Sequence, residues 1–365
     1  MRAAILYSFN EPFAVEDVEL APPRQGEVRV KLAASGVCHS DLSIQRGILP
    51  MPPPRIIGHE GAGVVTEVGP GVTSLAAGDH VVLCWMNPCG HCRECGRGRP
   101  VHCEVALQTM MMGGTYDGAP RFKVKGSGID MPHWVGSFAE ETVIPETGCV
   151  KIRSDAPLDK ACLVGCGVMT GIGAVINTAK VEPGASVAVF GAGGVGLNVI
   201  QGAVLAGAEK IIAVDLLDNK LKLAKEFGAT HTVSAAKGDP EAGIRELTDG
   251  RGVDYAFEVI GNPKVIAQAY ACLKRAGKCV VVGAPPFGSE VTVPAFPFSM
   301  EEKWLIGSFY GSAQFHHDMP RLIDLYMAGR LKLDQLVTRK FKLADINAAM
   351  DAMDKGEVAR GVIAY

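Results

Sequence analysis

Four cysteines fall within the fifteen residues "CGHCRECGRGRPVHC" (89–103). Cys89, Cys92, Cys95 and Cys103 are spaced C-x2-C-x2-C-x7-C, a thiol density that suits a tetrahedral metal. Zinc and an iron–sulfur cluster share this ligand type, and spacing alone does not separate them. A nucleic-acid-binding zinc ribbon is a third reading, and Arg93, Arg97 and Arg99 are locally basic. The net charge of −3, however, supplies no basic footprint for nucleic acid. Four thiolates saturate a tetrahedron, so a zinc held there staples a loop and leaves no position for a reacting molecule.

Chemistry needs a more open arrangement, and the remaining candidates are dispersed. Cys38 lies in "GVCHSDLS", His59 in "IIGHEGAG" and Cys166 in "LVGCGVMTG". Two thiols and an imidazole would leave a zinc with one free position. Taken singly, each also reads as a buried thiol or a turn histidine. They could meet only through the fold.

A third pattern concerns phosphate. In "VAVFGAGGVGLNVI", Gly191, Gly193 and Gly196 follow an apolar strand and open a helix. Such glycines permit a tight turn, backbone approach to a pyrophosphate and close helix–strand packing, with the helix N-terminus facing the phosphates. Asp215 ends the next strand, nineteen residues after Gly196. A carboxylate there accepts ribose hydroxyls and repels a 2′-phosphate, which favours NAD over NADP.

The elements that must position these groups change style along the chain. The first third holds short β-type runs broken by Gly and Pro, such as "EVRVKLAASGV", "GAGVVTEVGPGV" and "GDHVVLCW", which predicts an irregular, mostly antiparallel β domain. From about residue 170, apolar strands alternate with helical segments, "DNKLKLAKEFG" and "PKVIAQAYACLKRAG" among them, as in a parallel sheet covered on both faces. The tail from Asp318 shows two helical patterns around a short strand-like piece.

At 365 residues, 48% apolar and 21% charged, the chain fits two soluble α/β-type domains. No apolar run is long enough for a membrane span, and the N-terminus lacks signal-peptide features. Eleven cysteines without a secretory signal point to reduced thiols and a cytoplasmic location.

Together, "CHSD" (38–41), "GHEGAGVV" (58–65), the four-Cys segment, "GCGVMTG" (165–171), "GAGGVG" (191–196) and "VARGVI" (358–363) resemble the zinc-dependent alcohol dehydrogenases of the medium-chain dehydrogenase/reductase superfamily, long-type and class III-like. The resemblance implies a GroES-like, mainly β catalytic domain with a zinc lobe over residues 1–167. A Rossmann doubly wound parallel-sheet NAD-binding domain over 168–310 would follow, and the chain would return to the catalytic domain over 311–365. It implies two zincs per chain: one structural, on the four lobe cysteines, and one catalytic, on Cys38, His59 and Cys166 with Glu60 as a transient ligand.

By the same resemblance Asp41 hydrogen-bonds His59, Ser40 takes the alcohol proton, and Trp85 lines the substrate pocket. His39, Lys220 and Arg360 face the cofactor's ribose and phosphates, while Thr170 and Val195 pack on the nicotinamide. Ser43 stands where many members have a proton-relaying His, and is expected to serve a weaker relay. The implied reaction is hydride transfer between NAD and a primary alcohol, aromatic and allylic ones included, without nucleic-acid or membrane partners. A homodimer is expected, a tetramer being the other assembly.

Two alternatives stay within this chemistry: S-(hydroxymethyl)glutathione as substrate, or tightly held NAD with an external acceptor. "GGTYDGAPRF" resembles the loop of the glutathione-dependent enzymes, but Leu107 occupies the position where those carry an Arg for the glutathione carboxylate. A buried carboxylate without its cation is costly, so the glutathione adduct ranks low.

Overall fold

The computed structural model describes residues 1–365, the side chains of Met111 and Met112 excepted. It divides into two units, Met1–Cys166 with Gln314–Tyr365, and Gly167–Ala313. The breaks expected after residues 167 and 310 thus fall after 166 and 313.

In the first unit, the strand Glu27–Val37 buries Val28, Val30 and Leu32 on one face while Lys31 is exposed on the other. It pairs antiparallel with Glu60–Val68, Glu141–Pro145 and Arg360–Ala364. The last of these, a strand unforeseen in the tail, sets Gly361 opposite Val37, immediately before Cys38. The C-terminal strand and the segment leading into Cys38 are thereby joined in one seven-stranded sheet. Leu83, Phe138, Ile144 and Ile363 fill the core beneath it.

The second unit holds six parallel strands in the order His231–Ser234, Lys210–Asp215, Ser186–Phe190, Val253–Glu258, Leu273–Val281, Trp304–Gly307. This order reverses direction beside Ser186–Phe190, and the chain leaves that strand into the Gly-rich turn. Central strands are buried almost throughout, as a sheet covered on both faces requires.

One helical reading is corrected. "PKVIAQAYACLKRAG" is helical only over Pro263–Ala271, and Leu273 already pairs with Val253. Sheet pairing overrides the helix-forming Leu, Lys and Arg there. Among the described residues, no single helix is long and apolar enough to cross a membrane. All eleven cysteines are free of disulfides.

Candidate metal and dinucleotide sites

Cys38 follows the strand Glu27–Val37 and caps the short helix His39–Gln45. Its backbone N–H donates to Asp41 Oδ2 at 3.1 Å, and the other carboxylate oxygen accepts from His59 Nδ1 at 2.9 Å. Asp41 and His59 are both fully buried. One carboxylate therefore fixes the backbone of one candidate ligand and the ring of another. With Nδ1–H committed, Nε2 is the atom left to bind something, and it is buried without a hydrogen-bond partner.

Cys166, the residue after the short helix Cys162–Gly165, completes the group. The ligand atoms of Cys38, His59, Glu60 and Cys166 lie within 4.8 Å of one another, and all four residues are buried. Contact with the Cys166 thiol, assisted by His59 and Arg360 against the opposing effect of burial, holds the Cys38 thiol well below its ordinary pKa. The same contact and burial push Cys166 well above it. The two sulfurs thus share a proton that a divalent cation would displace. An orphaned imidazole nitrogen facing two thiols is the donor set of zinc with an open position. The residues fit that metal.

Glu60 is fully buried, and burial raises its pKa despite the Arg360 guanidinium. Arg360 pairs directly with Glu60 and is 6% exposed, so it meets the metal cluster from inside. A buried guanidinium is retained because Glu60 and the Cys38 charge compensate its desolvation. Gly36 makes room for the pair, since a Cβ there would collide with Glu60 Oε2 and crowd Leu163.

Ser40 Oγ stands 3.8 Å from Cys38 Sγ, and Ser40 is half-buried. Ser43 is half-buried one turn further along the helix, its carbonyl accepting from Ile48 and Leu49. His39 is exposed at the helix start.

Trp134 is the residue that sequence reading missed. Its indole stacks on His59 with centroids 4.5 Å apart and planes 25° apart, and is nearly buried. Trp85 meets it edge-on at 5.7 Å, and the Trp85 carbonyl accepts the Trp134 Nε1–H at 3.2 Å. The two indoles form one apolar wall beside the histidine, the larger part of which no spacing around residue 59 announces.

Sulfurs of Cys89, Cys92, Cys95 and Cys103 form a second group within 4.8 Å. Backbone N–H groups of Cys89 and Ala106 donate to Cys103 Sγ at 3.3 and 3.4 Å, and Cys92 N–H donates to Cys89 Sγ at 3.3 Å. Such donors favour thiolates, and Cys92 is held down to about 6, chiefly by its hydrogen bonds with Cys95. Tyr116, from the "GGTYDGAPRF" loop, donates toward the carbonyls of Asn87 and Pro88 and reaches Thr147 Oγ1. The lobe is thus clamped just before its first cysteine.

In the second unit, Gly191 adopts φ +100°, and a Cβ on Gly196 would strike the Gly191 carbonyl. Gly193 precedes the helix Gly194–Leu205, whose first N–H groups lack intrahelical partners. Asp215 Oδ2 accepts from Ala192 N–H at 2.8 Å and Oδ1 from Leu217 N–H at 3.0 Å. The carboxylate braces the turn and keeps further lone pairs for a ligand. Lys220 is half-buried on the helix Asp218–Glu226. Gly171 lets Thr170's helix approach Val195's, since a Cβ there would lie 2.6 Å from the Val195 carbonyl oxygen.

Two family models match the chain. Residues 24–154 match the alcohol dehydrogenase GroES-like domain, and 194–328 match the zinc-binding dehydrogenase family. S-(hydroxymethyl)glutathione dehydrogenase of Paracoccus denitrificans is 41% identical, covering 100% of this chain and 99% of its own. Alcohol dehydrogenase class-3 of Dictyostelium discoideum is also 41% identical, over 99% and 97%. The structure of benzyl alcohol dehydrogenase from Acinetobacter calcoaceticus superposes with a TM-score of 0.95 at 35% identity, over 100% and 98% of the two chains.

Proposed function

Because the chain belongs to the zinc-dependent alcohol dehydrogenases of the medium-chain dehydrogenase/reductase superfamily, with zinc and NAD as their cofactors, we propose that it oxidises S-(hydroxymethyl)glutathione. The full-length likeness to the Paracoccus and Dictyostelium enzymes supports this substrate over simple primary alcohols. The observation that carries the reaction is the orphaned His59 Nε2 facing the thiols of Cys38 and Cys166.

Cys38, His59 and Cys166 would hold the catalytic zinc, and Cys89, Cys92, Cys95 and Cys103 the structural one. Zinc bound to the first set would lower the pKa of a hydroxyl group, and bound NAD would supply a nicotinamide able to take hydride. Asp41 keeps the His59 proton on Nδ1, so that Nε2 remains a donor atom. Ser40 Oγ takes the alcohol proton, and Ser43 or water beside it passes the proton on. Glu60, whose carboxylate already lies within the cluster, would serve as a transient ligand, with Arg360 balancing its charge. Trp85 and Trp134 exclude water from the reacting carbon. Gly191, Gly193 and Gly196 would admit the pyrophosphate, and Asp215 would take the ribose hydroxyls. Lys220, His39 and Arg360 supply positive charge toward the cofactor, and Thr170 and Val195 pack on its nicotinamide. The assembly is read as a homodimer in the cytoplasm.

A second reading, free aromatic alcohols, is favoured by Leu107. It is 41% exposed and apolar at the position where a glutathione carboxylate would want a cation. Comparing kcat/KM for formaldehyde plus glutathione with that for benzyl alcohol, using free NAD, tests the proposal. Preference for the adduct is expected. Preference for benzyl alcohol selects the second reading, and turnover only with an artificial acceptor points to tightly held NAD.

A further inference from the structure

Within the Gly167–Ala313 unit, a cavity of about 420 Å³ opens at the end of the sheet where Val253–Glu258 and Leu273–Val281 begin. The Gly-rich turn follows the other end of its strand, after Phe190. Five cations line the cavity: Arg245, Arg251, Lys274, Arg275 and Lys303. Tyr270 lines it too, 1% exposed, and its hydroxyl has no hydrogen-bond partner among the described residues.

Charge accounting shows which cations are committed. Arg245 pairs with Glu241 and also donates to the Gly250 and Ala271 carbonyls. Lys274 pairs with Asp254. Lys303 is almost buried, pairs with Glu301 at 3.0 Å, and stands 5.9 Å from the Tyr270 ring centroid. Arg251 pairs with Asp249, both side chains more than three-quarters exposed, and its Nε donates to the Thr248 carbonyl at 3.4 Å, contacts that water screens and a ligand can rearrange. Arg275 has no ion pair or hydrogen bond with another described side chain. The apolar wall comes from Pro294 and Pro297.

We propose that this cavity is a binding site for a small organic phosphate, separate from the dinucleotide turn. Arg275 and Arg251 grip the phosphate in charge-assisted hydrogen bonds, for which the planar guanidinium is suited. The ligand's body lies against the prolines. The volume fits a molecule with one phosphate and a single ring.

Phenyl phosphate is the probe, titrated calorimetrically into zinc-loaded protein saturated with NADH, with inorganic phosphate as the comparison. One saturable site per chain is expected, tighter for phenyl phosphate than for phosphate. Arg275→Ala and Arg251→Ala should each weaken it about tenfold and leave alcohol turnover unchanged. Absence of saturable binding, binding indifferent to both substitutions, or binding abolished by NADH would overturn the proposal.

Discussion

Asp41 and His59, eighteen positions apart, meet at 2.9 Å in a fully buried hydrogen bond. The bond decides which imidazole nitrogen is available to a metal. Asp41→Asn offers one acceptor oxygen where the carboxylate served both His59 and the Cys38 N–H, so one donor loses its partner. Zinc affinity at this site should fall between about tenfold and a hundredfold. Zinc retained against a graded chelator reads the effect, and the lobe zinc should be unmoved. Equal retention by the variant would contradict the role given to Asp41.

Acid should act partly through His133. This residue is fully buried, and burial pulls its pKa down to about 4, only partly offset by its bond to the Val143 carbonyl. The unfolded chain binds a proton near pH 6.5 that the folded chain refuses. Stability is therefore complete above that pH and is lost as pH falls from 6.5 toward 4, by about 3 kcal/mol at most. Urea unfolding of wild type and His133→Gln, both zinc-saturated, should show a shallower loss in the variant across that window. Parallel profiles would exclude the histidine.

Gly196→Ala places a methyl group against the Gly191 carbonyl, a backbone atom that cannot rotate away. Overpacking of this kind costs about 1–3 kcal/mol. NADH affinity, followed by fluorescence titration, should fall about tenfold or more, with zinc content unchanged. Unchanged affinity would show that the turn is not the phosphate cradle.

Leu107→Arg supplies the cation that a glutathione carboxylate calls for. Since the position is exposed, a gain of about threefold to tenfold in kcat/KM is expected for S-(hydroxymethyl)glutathione and none for benzyl alcohol. Equal effects on both substrates would place residue 107 outside the substrate's reach.

Legibility in the sequence followed how local each feature is. Gly191 to Asp215 form one continuous strand–turn–helix–strand, so periodicity and glycine spacing suffice. The four lobe cysteines are also local. Cys38, His59 and Cys166 are not; three separate elements deliver them, and only resemblance to a family assembled them in advance. The Trp134–His59 stack and the inward turn of Arg360 onto Glu60 had no sequence signal, because both depend on long-range sheet register. The overlong helix reading at 263–277 failed for the same reason, as pairing with Val253 claimed Leu273.

The central claim is that the reactive metal sits on Cys38, His59 and Cys166 while the dense cysteine lobe only holds structure. Counting zinc per chain in wild type and in Cys166→Ala, alongside turnover, tests it most directly. About two zincs are expected in wild type. The variant should keep about one, lose turnover and keep its lobe folded. Turnover surviving in Cys166→Ala, or a wild-type protein active with zinc on the lobe alone, would contradict the account.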